Sequence, residues 1–539
     1  MNSLMISIQI KFKKYYIKYI WSIRMTNKTY MNPVRRGFFP DPSVLRVGED
    51  YYMVNSTFQY FPGVIISHSK DLVHWETIGH AITEKEYMDI SDILDSHGIW
   101  APDISYYNSK YYIFAPLRLN NPPEGVITPV IKRKQLVMTS DRPEGPYSKP
   151  WVLDADGIDP SHFVDDDGTH YMVVSMVAAP GANLCQLSED CKTIVRGPEQ
   201  VWQGTGRRKP EGPHIMKKDG YYYVILAEGG TGHGHCITTA RSKNIWGPYE
   251  ECPYNPVMAQ TNPDAKIQRA GHGKLVQTQN GEWWITYLCS RRNEGNDTTL
   301  GRETALDPVK WTDDGWFIVN DLKGPSEIQK VPNLVEYAYE EKNFDDFEGI
   351  RLSFEWEFVR NPDNSSWSLS ERPGYFRIWT GNYDLCDIRA KNTLLRRETE
   401  HCYAASLKLE FDPKQGEEAG LTCYYGFANY AKIFLTFDNG LKVKIVENRN
   451  TEIKTLGEFK ANSNVIYFKI ETEHQKRRFF FSEDDQNWAL AGSIENATFL
   501  CDEGVLLGKH FTGTLVGMYA NNGGNGNKIN ADFDWFNYK

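Results

Sequence analysis

Apolar residues along this chain come mostly in short runs rather than at helical spacing. Stretches rich in Tyr, Val, Ile and Trp are bounded by Gly, Pro, Asn and Asp, and sustained helical periodicity is scarce. The pattern predicts an all-β protein. Within it runs a weak repeat of an acidic or polar residue, a short apolar strand, a turn and an aromatic strand. Its five instances are Asp41-PSVLRVGEDYYMV, Asp103-ISYYNSKYYIF, Asp159-PSHFVDDDGTHYMVV, Glu211-GPHIMKKDGYYYVIL and His272-GKLVQTQNGEWWITYL. The leading residues stand 62, 56, 52 and 61 positions apart. Three units also end alike, in SHSKDLVHW (67–75), MTSDRPEGPY (138–147) and ARSKNIWGPY (240–249). Units of this length with about four short strands are what propeller blades need, because each blade buries its faces against its neighbours. Residues 32–325 are therefore expected to form a five-bladed β-propeller. A pair of β-sandwiches is the alternative, but sandwiches do not repeat one hairpin five times.

Beyond Trp316 the repeat stops. LKGPSEIQKVPNL (322–334) has Gly and two prolines without periodicity and reads as a linker. Segments such as LRRETEHCYAASLKLEF, AGLTCYYGFANYAKIFLTF and ADFDWFNYK then alternate apolar with polar in period two. Residues 326–539 are expected to form a jelly-roll-type β-sandwich. At the other end, lysines interrupt the only apolar stretch of residues 1–24 and no small-residue cleavage site follows. Residues 1–31 read as a disordered or non-native tail, with Met25 as an alternative start and a poor secretion signal as the weaker reading.

Composition narrows the class. Hydrophobic residues make up 40% of the 539 and aromatic residues 13%, too much apolar surface for a disordered chain and too long for one core. A net charge of −10 repels a phosphate backbone and gives no reason for an anionic membrane partner. Nine cysteines without CxxC spacing argue against a zinc site and against a complete disulfide framework, so a reducing, cytoplasmic location is expected.

In a propeller the innermost strand of every blade begins near the central channel, so Asp41, Asp103, Asp159, Glu211 and His272 are brought together although far apart in sequence. Carboxylates crowded around one axis repel, and groups with separated proton affinities can divide acid and base roles at one pH. That is the requirement of glycoside hydrolysis. Each residue also has a bland reading. Asp41 and Asp159 precede prolines, as turn formers do, Asp103 reads as structural or peripheral, and Glu211 lies in a tight Pro-Glu-Gly turn.

Several motifs in order then resemble glycoside hydrolase family 43, in its β-xylosidase and α-L-arabinofuranosidase group with a C-terminal β-sandwich. They are NPVRRGFFPDPSVLRVGEDYY (32–52), STFQYFPGVIISHSKDLVHW (56–75), GIWAPDISY (98–106), GIDPSHFVDDDG (157–168), PEGPHIMKKDGYYY (210–223), AEGGTGHGH (227–235), GHGKLVQTQNGEWW (271–284) and LGRETALDPVKW (300–311). The resemblance implies Asp41 as general base, Glu211 as general acid and Asp159 as the residue that orients the acid and tunes its proton affinity. It implies inversion, with acid and base about 6.5–9.5 Å apart. It places Arg302 at the sugar hydroxyls, His272 below the ring, Phe58 and Trp100 on the subsite walls, and Phe511 as an aromatic lent by the sandwich. Read alone, Arg302 could close the propeller by a salt bridge, His272 could be a structural hydrogen-bonding residue, and the aromatics could be core. No cofactor is required on this reading, and a calcium ion near His272 is left open. The expected substrate is a neutral xylo- or arabinoxylo-oligosaccharide, with xylose released from the non-reducing end and arabinofuranosidase side activity. A dedicated arabinofuranosidase, a non-catalytic carbohydrate-binding propeller and a retaining fructan-cleaving propeller are the alternatives. No nucleic-acid or membrane partner is expected, and a homo-oligomer is left open.

Overall fold

A computed structural model of the protein describes residues 28–121, 133–295, 297–508 and 510–539. Five antiparallel sheets follow one another, each led by one instance of the repeat. Their inner strands are Ser43–Val47, Asp103–Tyr107, Gly157–Val164, Glu211–Lys218 and Ile267–Gln277. Each inner strand touches the next, and the fifth touches the first, so the ring closes as a five-bladed propeller. Inner and second strands are joined by tight turns, with left-handed backbone at Asn108 and Ser109 and at Asp219 and Gly220 in the two-residue hairpins of blades 2 and 4.

The apolar alternation of the repeat is explained by what lies between blades. Val54, Ile66, Ile104, Ile113 and Met138 pack between blades 1 and 2, and Phe114, Val137, Met172 and Leu187 between blades 2 and 3. Val173, Leu184, Val224 and Trp202 fill the gap between blades 3 and 4, and Tyr223, Ile237, Ile285 and Phe317 that between blades 4 and 5. Val44, Tyr51, Trp284 and Leu306 close blade 5 onto blade 1.

Two eight-stranded antiparallel sheets form the second domain, with a dry core between them that includes Leu407, Phe468, Leu421, Ile433 and Met518. One sheet turns its other face to the propeller. There Tyr424, Tyr430, Phe434, Leu515 and Tyr519 pack with Phe38, Phe58 and Tyr60 of blade 1. Each large apolar side chain removed from water contributes about 1.5–3 kcal/mol, so the two domains bury a common core rather than a hinge. The edge strand of that sheet is Tyr60–Phe61, from blade 1, paired with Glu357–Val359 in the register Phe358↔Phe61 and Val359↔Tyr60. Arg360, fully buried beside it, donates to the Ile93 carbonyl at 2.6 Å and to Asp95 at 2.8 Å.

Three expected boundaries move. Residues 1–27 of the expected tail lie outside the described residues, but Thr29–Met31 is a strand paired with Ile328–Lys330, which in turn lies inside the expected linker 322–334. Tyr30 is the reason: it is buried and donates its hydroxyl to the Leu306 carbonyl at 2.6 Å. The sandwich takes its first strand from its own segment at Phe344–Asp345, not near 326, while Leu334 still packs in the cluster between blades 5 and 1. The nine cysteines form no disulfide, and among the described residues no helix is long and apolar enough to cross a membrane.

Candidate active site

The inner strands do not enter the channel as regular strands. Pairing breaks between Ile158 and Ser161 in blade 3, between Glu211 and His214 in blade 4, and around Gly271 in blade 5. The backbone is left-handed at Asp41 (φ 54°), Asp159 (φ 55°), Gly212 (φ 60°) and His272 (φ 49°). A β-bulge re-aims one side chain out of the strand's alternation, and left-handed backbone at a non-glycine residue costs about 1–3 kcal/mol. Here the bulges of blades 3, 4 and 5, and the left-handed turn at Asp41 before the regular inner strand of blade 1, aim side chains from different blades at one point. Blade 2 has no such break: Asp103 pairs regularly with Phe114 and turns its carboxylate elsewhere.

All eight residues expected from the sequence line one hollow of about 80 Å³: Asp41, Asp159, Glu211, Phe58, Trp100, His272, Arg302 and Phe511. Two larger hollows, of about 550 and 860 Å³, lie beside blade 1 and are lined by no residue of the five inner strands. Size therefore does not locate the site, whereas convergence of inner strands does. Ala101, Ile158, Lys209 and Thr231 line the same hollow and were not anticipated. Lys209 and Thr231 stood inside or beside the KPEGPH and AEGGTGHGH segments, but nothing in their spacing set them apart.

Asp41 is buried, accepts a hydrogen bond from Ser56 Oγ at 2.6 Å and is ion-paired with Arg302 Nη1 at 3.0 Å. The ring nitrogen Nδ1 of His272 lies 3.9 Å from the same carboxylate oxygen that Arg302 holds. Asp159 is equally buried and accepts from the Gly212 amide at 2.9 Å. Burial, then the charges of Glu211 and Asp41, push Asp159 well above the usual carboxylate range, against the opposing pull of the Gly212 amide and Arg302. Glu211 keeps some exposure to the pocket, yet burial and then Asp41 push it up to about 7. Burial holds His272 below its ordinary value, so its imidazole is neutral. One carboxylate held by a guanidinium and two neighbours raised by desolvation and repulsion can keep a proton on one side of the hollow and a charge on the other.

The walls come from both domains. Phe58, Trp100 and Phe511 form a triangle of rings with centroids 6.2, 6.5 and 5.8 Å apart. Arg302 lies over Phe58 and Phe511, at 5.3 and 5.7 Å, and donates through Nη2 to the Phe511 carbonyl at 3.0 Å. This meeting needs two glycines. A Cβ on Gly301 would stand 2.8 Å from Gly513 Cα, and one on Gly513 would stand 2.5 Å from the Leu300 carbonyl oxygen. The two loops thus cross backbone to backbone, which brings Phe511 over the pocket.

Asp103 takes the structural place considered for it. Its carboxylate receives Lys274 Nζ at 2.5 Å, Ser43 Oγ at 2.7 Å and the His162 amide at 2.9 Å, so four blades meet on one buried charge. Burial alone would raise Asp103, but Lys274 and then His214 hold it below the usual range. A calcium ion near His272 would find, among the described residues, one imidazole and a carboxylate already held by Arg302, and would take water for the rest of its shell.

Comparison with known proteins agrees with this architecture. Residues 30–317 match the family described as glycosyl hydrolases family 43, and residues 344–539 match the β-xylosidase C-terminal concanavalin A-like domain. The chain is 35% identical to a xylan 1,3-β-xylosidase of a Vibrio species, over 95% of this chain and 99% of the relative. It is also 35% identical to a non-reducing-end α-L-arabinofuranosidase of Bacteroides ovatus, over 96% of each. A solved family 43 protein of Bacillus licheniformis superposes with a TM-score of 0.92 at 61% identity, covering 95% of this chain and 99% of that one.

Proposed function

The chain belongs to glycosyl hydrolase family 43, and from that premise we propose that it is an inverting exo-β-xylosidase acting on xylo-oligosaccharides, with α-L-arabinofuranosidase side activity. The observation that carries this reading is the convergence of Asp41, Asp159 and Glu211, from blades 1, 3 and 4, on one aromatic-walled hollow beside Arg302 and His272 of blade 5.

In this mechanism Glu211, protonated up to about pH 7, gives its proton to the glycosidic oxygen as the bond to the anomeric carbon breaks. Asp41 takes a proton from water, whose oxygen attacks the same carbon from the opposite face. Burial and the charge of Asp41 keep the proton affinity of Glu211 high, while Asp159 accepts from the amide of Gly212, the residue after Glu211, and so orients the acid. Arg302 has guanidinium nitrogens fixed on Asp41 and the Phe511 carbonyl, which presents its planar edge to ring hydroxyls in one orientation. The roof formed by Phe511 and Trp100 favours a chain end over an internal sugar, and the names of the relatives, which cover xylosidase and arabinofuranosidase, support a pentose.

Proton NMR of freshly released sugar tests stereochemistry and substrate together. α-Xylose appearing first from a β-xylo-oligosaccharide is expected, and β-xylose first would overturn the assigned roles. The β-1,4 linkage is implied by the motif resemblance, whereas the Vibrio relative carries a 1,3 linkage in its name, so β-1,4- and β-1,3-xylobiose are assayed side by side. A rate ratio strongly favouring nitrophenyl arabinofuranoside over nitrophenyl xyloside would make the arabinofuranosidase activity primary. Absence of turnover with intact sugar binding would make this a binding propeller.

A further inference from the structure

Blade 3 carries a second convergence of reactive side chains, none of which lines the pocket. His162 lies on the inner strand, His170 opens the second strand, and Cys191 sits in the turn after the third strand, Ala182–Leu187. All three are buried, with 6%, 3% and 0% of their surface exposed. His162 Nε2 is 3.0 Å from His170 Nδ1, His170 Nδ1 is 3.2 Å from Cys191 Sγ, and Cys191 Sγ is 3.8 Å from His162 Nε2. A point equidistant from the three donors lies about 2 Å from each, so an ion slightly out of their plane would meet the usual zinc–nitrogen and zinc–sulfur lengths.

The surroundings orient these donors. Ser105 Oγ, from blade 2, is 2.6 Å from His162 Nδ1; with the ring proton on Nδ1 donated to Ser105, the Nε2 lone pair faces the triangle. The His162 ring is stacked on Phe114 at 4.7 Å, and Trp151 Nε1 donates to the Cys191 carbonyl at 2.7 Å, fixing the turn that carries the thiol. Two imidazoles and a thiol suit a borderline-soft divalent ion, whereas calcium and magnesium take oxygen. The lack of CxxC spacing pointed away from zinc, but convergence across three strands leaves no such spacing.

We propose that His162, His170 and Cys191 form a structural zinc site that pins the first three strands of blade 3, with water as the fourth ligand. On binding, the Cys191 S–H bond breaks, its proton passes to solvent and a sulfur–zinc bond forms, without any change of oxidation state. The site stands apart from the glycosidase reading and stabilises the blade that carries Asp159.

The test uses the full chain stripped with a chelator and titrated with Co²⁺ as the spectroscopic probe. One equivalent is expected to give a near-ultraviolet thiolate-to-cobalt charge-transfer band with four-coordinate d–d bands, bleached by zinc and lost in Cys191→Ser. Zinc is expected to raise the thermal midpoint of the wild type and not that of Cys191→Ser. Should that variant not fold, X-ray absorption on zinc-loaded wild type decides, with one sulfur and at least two imidazoles expected around one zinc per chain. No charge-transfer band on a protein with native circular dichroism would mean a purely hydrogen-bonded cluster and overturn the proposal. So would a band unchanged in Cys191→Ser, or a shell of oxygen and nitrogen only.

Discussion

Replacing Glu211 with Gln separates the chemical value of this carboxyl from its structural cost. Burial and Asp41 raise Glu211 from 4.5 to about 7. Between those two values the folded chain binds a proton that the unfolded chain has released, so stability falls as pH rises through this window and the full cost is present above it. At about 1.4 kcal/mol per pH unit, an ionised Glu211 costs the folded state about 3 kcal/mol, falling below about 1 kcal/mol at pH 5. Gln has nearly the same shape and no charge, so Glu211→Gln should stabilise the protein at pH 8.5 and barely at pH 5. For a chain of this length the gain corresponds to a melting-point rise of about 3 °C. Rate should move the opposite way, with a loss of about 10²- to 10⁴-fold on xylobiose. The loss should be smaller on nitrophenyl xyloside, whose leaving group departs without protonation. Scanning calorimetry at pH 5 and pH 8.5, together with sugar release from both substrates, reads all of this. A variant less stable than wild type at pH 8.5, or equally stabilised at both pH values, would refute the electrostatic account, and an undiminished rate would refute the acid role.

In the wild type, kcat/KM should decline as pH rises through about 7, where Glu211 loses its proton, and a pH–rate profile of Glu211→Gln should lack that limb. Lys274→Met leaves the Asp103 charge buried without its ammonium and should cost about 3–5 kcal/mol in urea unfolding; an unchanged midpoint would show that Asp103 is not the hub of the blades. Phe511→Ala removes the aromatic lent by the sandwich, whose ring contacts are worth about 0.5–1.5 kcal/mol each, and should lower kcat/KM about tenfold, mainly through KM, with steady-state kinetics as the check.

Much of the site could be read in the chain because it is written in local motifs. Asp41, Asp159, Glu211 and His272 each lead a repeat whose turn chemistry and strand length place the residue at a channel mouth, whereas Arg302 leads none and is marked only by the family resemblance of its LGRET motif. Lys209 and Thr231 were not distinguishable, since a lysine before a proline and a threonine among glycines have no periodicity or spacing to mark them. Thr29–Met31 was hidden for a similar reason. A three-residue strand has too little pattern to separate from a tail, and only the Tyr30 anchor on Leu306 fixes it.

The sequence alone determined the strands, the five blades and the presence of a second β domain, because alternation and turn residues act over a few neighbours and are encoded where they act. Folding in three dimensions decided the rest. Asp103 and Asp159 lead the same repeat, yet a bulge aims one into the pocket while regular pairing aims the other at Lys274. Tyr60–Phe61 completes a sheet of the other domain, Phe511 reaches Arg302 across a crossing of glycines, and His162, His170 and Cys191 meet across three strands. Register, close approach and the electric field of neighbouring charges depend on separations through space, and those exist only once distant parts of the chain have packed.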